Sequence, residues 1–246
     1  MPNQITNTAE NIESHASDWN WLYRIGGYAA LLMFVLIPIQ IVIFIAWAPP
    51  QTVQQYFTLF QHNRLLGLLD LDLLLIVDNL LAIPLNLAFF VALRRKNASF
   101  VLIATALGLL SIILYLVSRE ATFSMMALSD QSTAATTEAQ RQIFLAAGQV
   151  MLISYNGTVF NISYILGAIG LIILSVVMLK TDVFSKTIAY LGLAANIIAF
   201  GLYLPPAGVY ISIFSVVFLW IWDILIALRL FQLGNPNKMN EIRRQA

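Results

Sequence analysis

The chain reads as all-α: a polytopic membrane helix bundle of six transmembrane helices, with the N-terminus and the C-terminus both cytoplasmic. Composition carries the first part of this reading. Of 246 residues, 60% are hydrophobic and only 10% are charged, with a mean hydropathy of +0.82, whereas a soluble domain has about a quarter of its residues charged. Six segments reach the ~20 apolar residues needed to cross the hydrocarbon core. Basic residues supply the orientation, because they concentrate in alternate connections.

The polar N-terminal segment, 1–23, carries Glu10, Glu13 and Asp18 and lacks both a basic start and a small-residue cleavage site. The apolar run that follows is therefore read as a retained span and not as a signal peptide. That first span, 24–47, is stopped by Pro49-Pro50, and Trp19, Trp21, Tyr23 and Trp47 flank it where interfacial aromatics belong. The second, 65–93, ends at Arg94-Arg95-Lys96. The third, 99–127, leads into an extracytoplasmic segment, 128–155, that opens with the polar "SDQSTAATTEAQRQ". Hydrophobicity resumes at Ile143, too early for the fourth span at 156–180, and one helix from Glu138 to Leu179 would exceed about 60 Å. An amphipathic helix or re-entrant turn, bent near Gly157, is expected instead. The fifth and sixth spans, 186–204 and 207–231, are joined by Pro205-Pro206 and followed by a cytoplasmic basic tail, 232–246. Within the transmembrane domain, 24–231, and its flanks, this topology places ten basic residues inside and leaves Arg64, Arg119 and Arg141 outside. The expected location is the cell inner (plasma) membrane, multi-pass, with the lipid bilayer as the first partner.

Several chemistries are excluded by residue counts. There is no cysteine, so disulfides, thiolate nucleophiles and Cys-type metal sites are ruled out. Two histidines, His15 and His62, are too few for a His-rich metal centre or a bis-histidine haem. A net charge of +1 favours no nucleic-acid partner, and no cofactor is expected.

The stretch "DLDLLLIVDNLLAIPLN", residues 70–86, puts three carboxylates into the second span. With Asp70 as origin on a helical wheel, Asp78, Asn86, Asn79 and Asp72 fall at roughly 80°, 160°, 180° and 200°. The remaining arc, which includes Leu73, Val77, Leu80 and Leu87, is wholly apolar and is read as lipid-facing. An Asp at mid-membrane costs about 2.5–3.5 kcal/mol on insertion scales, so the polar arc must face protein or water. At ~1.5 Å per residue, Asp70 and Asp72 lie close to the depth of Arg119 on the third span, and Asp78 lies deeper. Arg119 is thus expected to pair with Asp70 or Asp72. The expected site is an outward-facing polar pocket lined by Asp70, Asp72, Arg119, Glu120, Asn156 and Asn161, with Asp78 at its floor. Asp78 is the proton-coupling candidate, as an ionisable group deep in the bilayer without a nearby counter-charge. A metal-dependent reaction is disfavoured, because carboxylates about 200° apart on one helix cannot converge on an ion unless the helix unwinds.

"YRIGGYAALLMFVLIPIQ" in the first span, "LLIVDNLLAIPLNLAFFVALRR" in the second and "AFGLYLPPAGVYISIFSVVFLWIWDILIALRLFQLG" at the end resemble the bacterial membrane family catalogued as domain of unknown function 4386. The likeness runs from about Tyr23 to Gly234. It implies an all-helical integral membrane protein and brings no reaction, ligand or functional residue. Function is therefore read from the polar residues alone: binding or transport of a small polar or cationic solute, coupled to a proton through Asp78. The alternative is a non-catalytic structural or regulatory membrane subunit whose carboxylates only lock helices. A carboxylate-dependent membrane enzyme comes third.

Overall fold

The structure, a computed structural model, describes the backbone of residues 2–235 and the side chains of 19–208 and 210–235. The basic tail beyond 235, with Lys238, Arg243 and Arg244, lies outside the described residues, as do the side chains of Glu10, Glu13, His15 and Asp18. The described chain is all-helical: α1 (Pro2–Ala46), α2 (Val53–His62), α3 (Arg64–Asp70), α4 (Leu73–Leu93), α5 (Ala98–Ser118), α6 (Ala121–Ala134), α7 (Glu138–Tyr155), α8 (Thr158–Leu179), α9 (Lys186–Ala199) and α10 (Gly208–Leu233), with a 3-10 turn over Phe200–Tyr203. Six stretches among these are long and apolar enough to cross a membrane: Trp19–Ala46, Leu73–Leu93, Ala98–Ala134, Glu138–Leu179, Lys186–Tyr203 and Tyr210–Leu233. Two of the expected spans differ in an informative way, and the fourth hydrophobic run breaks where a bend was expected. The second does not run unbroken from 65 but stops at Asp70 and restarts at Leu73. The third is interrupted at Arg119–Glu120, and the break in the fourth falls at Asn156–Gly157.

The chain forms two compact units, each with its own core. Among the described residues, the first contains the chain up to Phe34, residues 81–108 and residues 168–235. Its interior is filled by Phe89, Leu93, Leu174, Met178, Phe184, Ile226 and Leu230. Phe89 meets the rings of Phe184 and Trp222 at 5.9 and 5.5 Å. Close helix approach is set by small residues: a Cβ on Gly26 would stand 2.8 Å from that of Ala88, so α1 and α4 can touch there only because the position is glycine.

The second unit comprises 35–80 and 109–167. Here α2, α3, α6 and α7 build a small helical cap around Val53, Tyr56, Phe57, Phe60, Leu71 and Met125. Helix α2 was not anticipated, although its signals are local. Thr52 and Gln55 form a complete capping box, and Val53, Tyr56, Phe57 and Phe60 repeat at the one-face helical spacing, all buried. Asn63 starts α3 by accepting from the Leu66 N–H at 3.0 Å, and Thr137 caps α7 through the Gln140 N–H at 3.3 Å. Gly148 lets α7 approach closely, since a Cβ there would lie 2.6 Å from Val53 Cγ1. On α4, Val77, Leu80 and Leu87 are exposed, the arc that the wheel assigned to lipid.

Candidate functional site

The three helix interruptions of the second unit meet at one buried ion pair. Asp72 sits between α3 and α4 with φ of 65°, a left-handed conformation that Asp tolerates better than most residues. This turn frees backbone groups that a continuous helix would pair. The Leu71 carbonyl is recovered by the buried Thr122 hydroxyl, and Gln40 Nε2 donates to the Leu69 carbonyl at 3.1 Å. At the third break, Asn161 Nδ2 donates to the carbonyls of Asn156 and Gly157 at 3.0 and 2.9 Å. Irregular backbone at such positions persists only where side chains re-satisfy it in this way.

Arg119 ties the breaks together. Its Nε lies 3.2 Å from Asp72 Oδ2, with side-chain exposures of 2% and 10%, and the N–H is not aligned as a hydrogen bond, so this contact is chiefly Coulombic. Nη1 donates to the Tyr155 carbonyl at 3.0 Å. The guanidinium is enclosed by the rings of Tyr155, Tyr115 and Phe160, whose centroids are 4.0, 4.5 and 4.7 Å from Cζ. Tyr115 also donates its hydroxyl to Asp72 Oδ2 at 3.3 Å. Of the two carboxylates at suitable depth, Asp72 is therefore the one paired with Arg119.

Beside this pair opens a cavity of about 370 Å³. Asp70, Asp72, Tyr56 and Tyr155 line it together with Asn156 and Leu152, and Phe44, Pro49, Pro50 and Gln51 close the remaining side. Unwinding at Leu71 and Asp72 is what brings both carboxylates to one space, which an unbroken helix would have prevented. Asp70 is 4% exposed, and its Oδ1 has no hydrogen-bond partner among the described residues. It lies outside the six spanning stretches, and burial raises its pKa to about 6. Burial, then the negative charges of Asp70 and Asp72, push the Tyr56 phenol upward as well, so this hydroxyl stays a hydrogen-bond donor next to the carboxylates.

The other expected members fall elsewhere. Glu120 is exposed and accepts from the Ser124 hydroxyl at 2.9 Å, outside the cavity lining, because the chain turns at Arg119–Glu120 and sends adjacent side chains apart. Asn161 serves the α7–α8 break. Asp78 is not part of the lining; it lies on α4, six residues beyond Asp72 and about 9 Å further along, and its Oδ1 is shielded without a partner among the described residues. Tyr56, Tyr155 and the Phe44–Pro50 wall were not anticipated. Among the described residues no three His, Cys, Asp or Glu gather as a metal-ion site.

The sequence profile of the family described as "Domain of unknown function (DUF4386)" matches residues 25–234. The chain belongs to that family. The matched DUF4386 region includes all six spanning stretches except the start of the first, and both cavity carboxylates fall within it. No curated protein and no solved structure matches this DUF4386 chain.

Proposed function

We propose that this integral membrane protein binds or transports a small polar or cationic solute through the cavity beside Asp70, with both termini cytoplasmic and the cavity facing outward. Asp70 carries the proposal. A buried carboxylate in the cavity wall, with one oxygen unpartnered among the described residues and Tyr56 in the same lining, attracts a cation with hydrogen-bond donors. Asp72 contributes a second carboxylate that Arg119 already partly neutralises, so the space retains net negative character, and Asn156 adds a neutral polar contact. Asp78, deeper on α4, is the group for proton coupling. The Asp72–Arg119 pair itself favours a second reading, a structural or regulatory subunit, since that pair engages its neighbours without any ligand.

The test is thermal stability in mild detergent across a panel of small ammonium ions, from methylammonium to spermidine. Because burial raises the pKa of Asp70 to about 6, its contribution to the unliganded fold is favourable at low pH and is lost as pH climbs through that value. A cation prefers the carboxylate, so ligand-induced stabilisation should grow over the same interval. Asp70→Asn should be more stable than wild type at pH 8, equal to it at pH 4, and unresponsive to the panel. An equal ligand response in Asp70→Asn would remove Asp70 from the site.

Orientation has a separate check. With no native cysteine, single cysteines can be probed by impermeant reagents on intact cells. Ser132→Cys should label from outside, while Asn97→Cys and Asn240→Cys should not; external labelling of Asn240→Cys would reverse the topology.

A further inference from the structure

We propose that the first unit carries a binding site for one anionic phospholipid between the start of α5 and the end of α8, its phosphate held by Lys96 and Lys180. A cavity of about 230 Å³ opens there. The two helices are in close contact at Gly170, where a Cβ would stand 3.0 Å from the Ala104 carbonyl, and the cavity lies beyond that contact, toward the helix ends. Its wall is apolar, made by Phe100, Ile172, Ile173 and Val176, and its mouth carries Lys96, Asn97 and Lys180. No carboxylate lines it.

The occupant follows from the setting. Phe100 and Val176 are 54% and 40% exposed on helices that cross the bilayer, where exposed apolar surface is covered by acyl chains. A chain laid along this wall puts its headgroup at the two ammonium groups. These select an anionic over a zwitterionic lipid, because the mouth offers no acid to hold a choline or ethanolamine. The start of α5 adds to the attraction. Asn97 Oδ1 accepts from the Phe100 N–H at 3.3 Å, and the Ala98 and Ser99 N–H groups of the first turn have no intrahelical partner, the arrangement that favours phosphate. Lys186, the other lysine nearby, is already engaged by the Leu179 carbonyl, which leaves Lys96 and Lys180 as the selecting charges.

The experiment uses the full chain in detergent, titrated with phosphatidylglycerol or phosphatidylcholine of identical acyl chains and read by native mass spectrometry. Wild type should retain phosphatidylglycerol preferentially. Lys96→Gln or Lys180→Gln should each weaken that binding roughly fivefold, and both together about twentyfold, with phosphatidylcholine unchanged. Both lysines are exposed, so the variants keep the wild-type melting temperature. An undiminished phosphatidylglycerol preference in the double variant would overturn the proposal. So would full displacement of the lipid by inorganic phosphate at equal concentration, which would mean that an ion alone occupies the site.

Discussion

Arg119→Leu is expected to cost about 3–5 kcal/mol of stability, the largest loss from any single substitution in the second unit, because removing one partner of a buried pair strands the other. Three interactions go at once: the Coulombic contact at 3.2 Å to Asp72, the 3.0 Å hydrogen bond to the Tyr155 carbonyl, and the filling of the space between Tyr115, Tyr155 and Phe160. Asp72→Asn should also be costly, since the guanidinium would then be buried without its counter-charge. Asn is the informative replacement at this position: at φ of 65° a branched or bulky residue would add about 1–2 kcal/mol of backbone strain that has nothing to do with charge.

The double variant, Arg119→Leu with Asp72→Asn, should lose distinctly less than the sum of the two. Recovery is partial, because the Tyr155 carbonyl remains without its donor. Melting temperatures of the four proteins in one detergent check this. Strict additivity would mean that the pair is not coupled and that Arg119 acts through its ring and backbone contacts alone.

The six apolar stretches were legible because bilayer thickness imposes length and composition, and those survive any rearrangement inside the bundle. The bend at Asn156–Gly157 was legible from glycine and from the excess length of the fourth hydrophobic run. The breaks at Asp72 and Arg119 were not. Neither contains Gly or Pro, and both depend on distant partners: Thr122 for the Leu71 carbonyl, and Asp72 for the guanidinium. A helical wheel assumes continuity, so it put Asp70 and Asp72 on opposite sides when the turn between them lets both reach one cavity. The ring cage was hidden for a related reason. Only Tyr115 shares a helical face with Arg119, while Tyr155 and Phe160 arrive from across the α7–α8 break. Helix α2 differs, because its capping box and its four buried apolar residues were local and readable; the pair Pro49-Pro50 drew the segment into the loop class.

Asp78→Leu should stabilise the protein by about 1–3 kcal/mol, the opposite sign to the change at Arg119, although both positions carry ionisable side chains: Arg119 is buried, whereas Asp78 is half-buried with its Oδ1 shielded. The difference lies in the partners. Asp72 is met by Arg119 and the Tyr115 hydroxyl, whereas Asp78 Oδ1 is shielded with no partner among the described residues. Its neighbour Asn79 offers none, since its amide donates back to the Leu75 carbonyl at 3.0 Å. A polar group left in that condition destabilises the fold, and it persists where function requires it. Asp78→Asn, which keeps the shape and removes the acid, should be at least as stable as wild type. Under the proposed function, both variants should still bind a solute at Asp70 yet lose the pH gradient as a driving force for its uptake into vesicles. A destabilised Asp78→Leu would reveal a structural partner for the carboxylate, and undiminished gradient-driven uptake in Asp78→Asn would remove Asp78 from the coupling step.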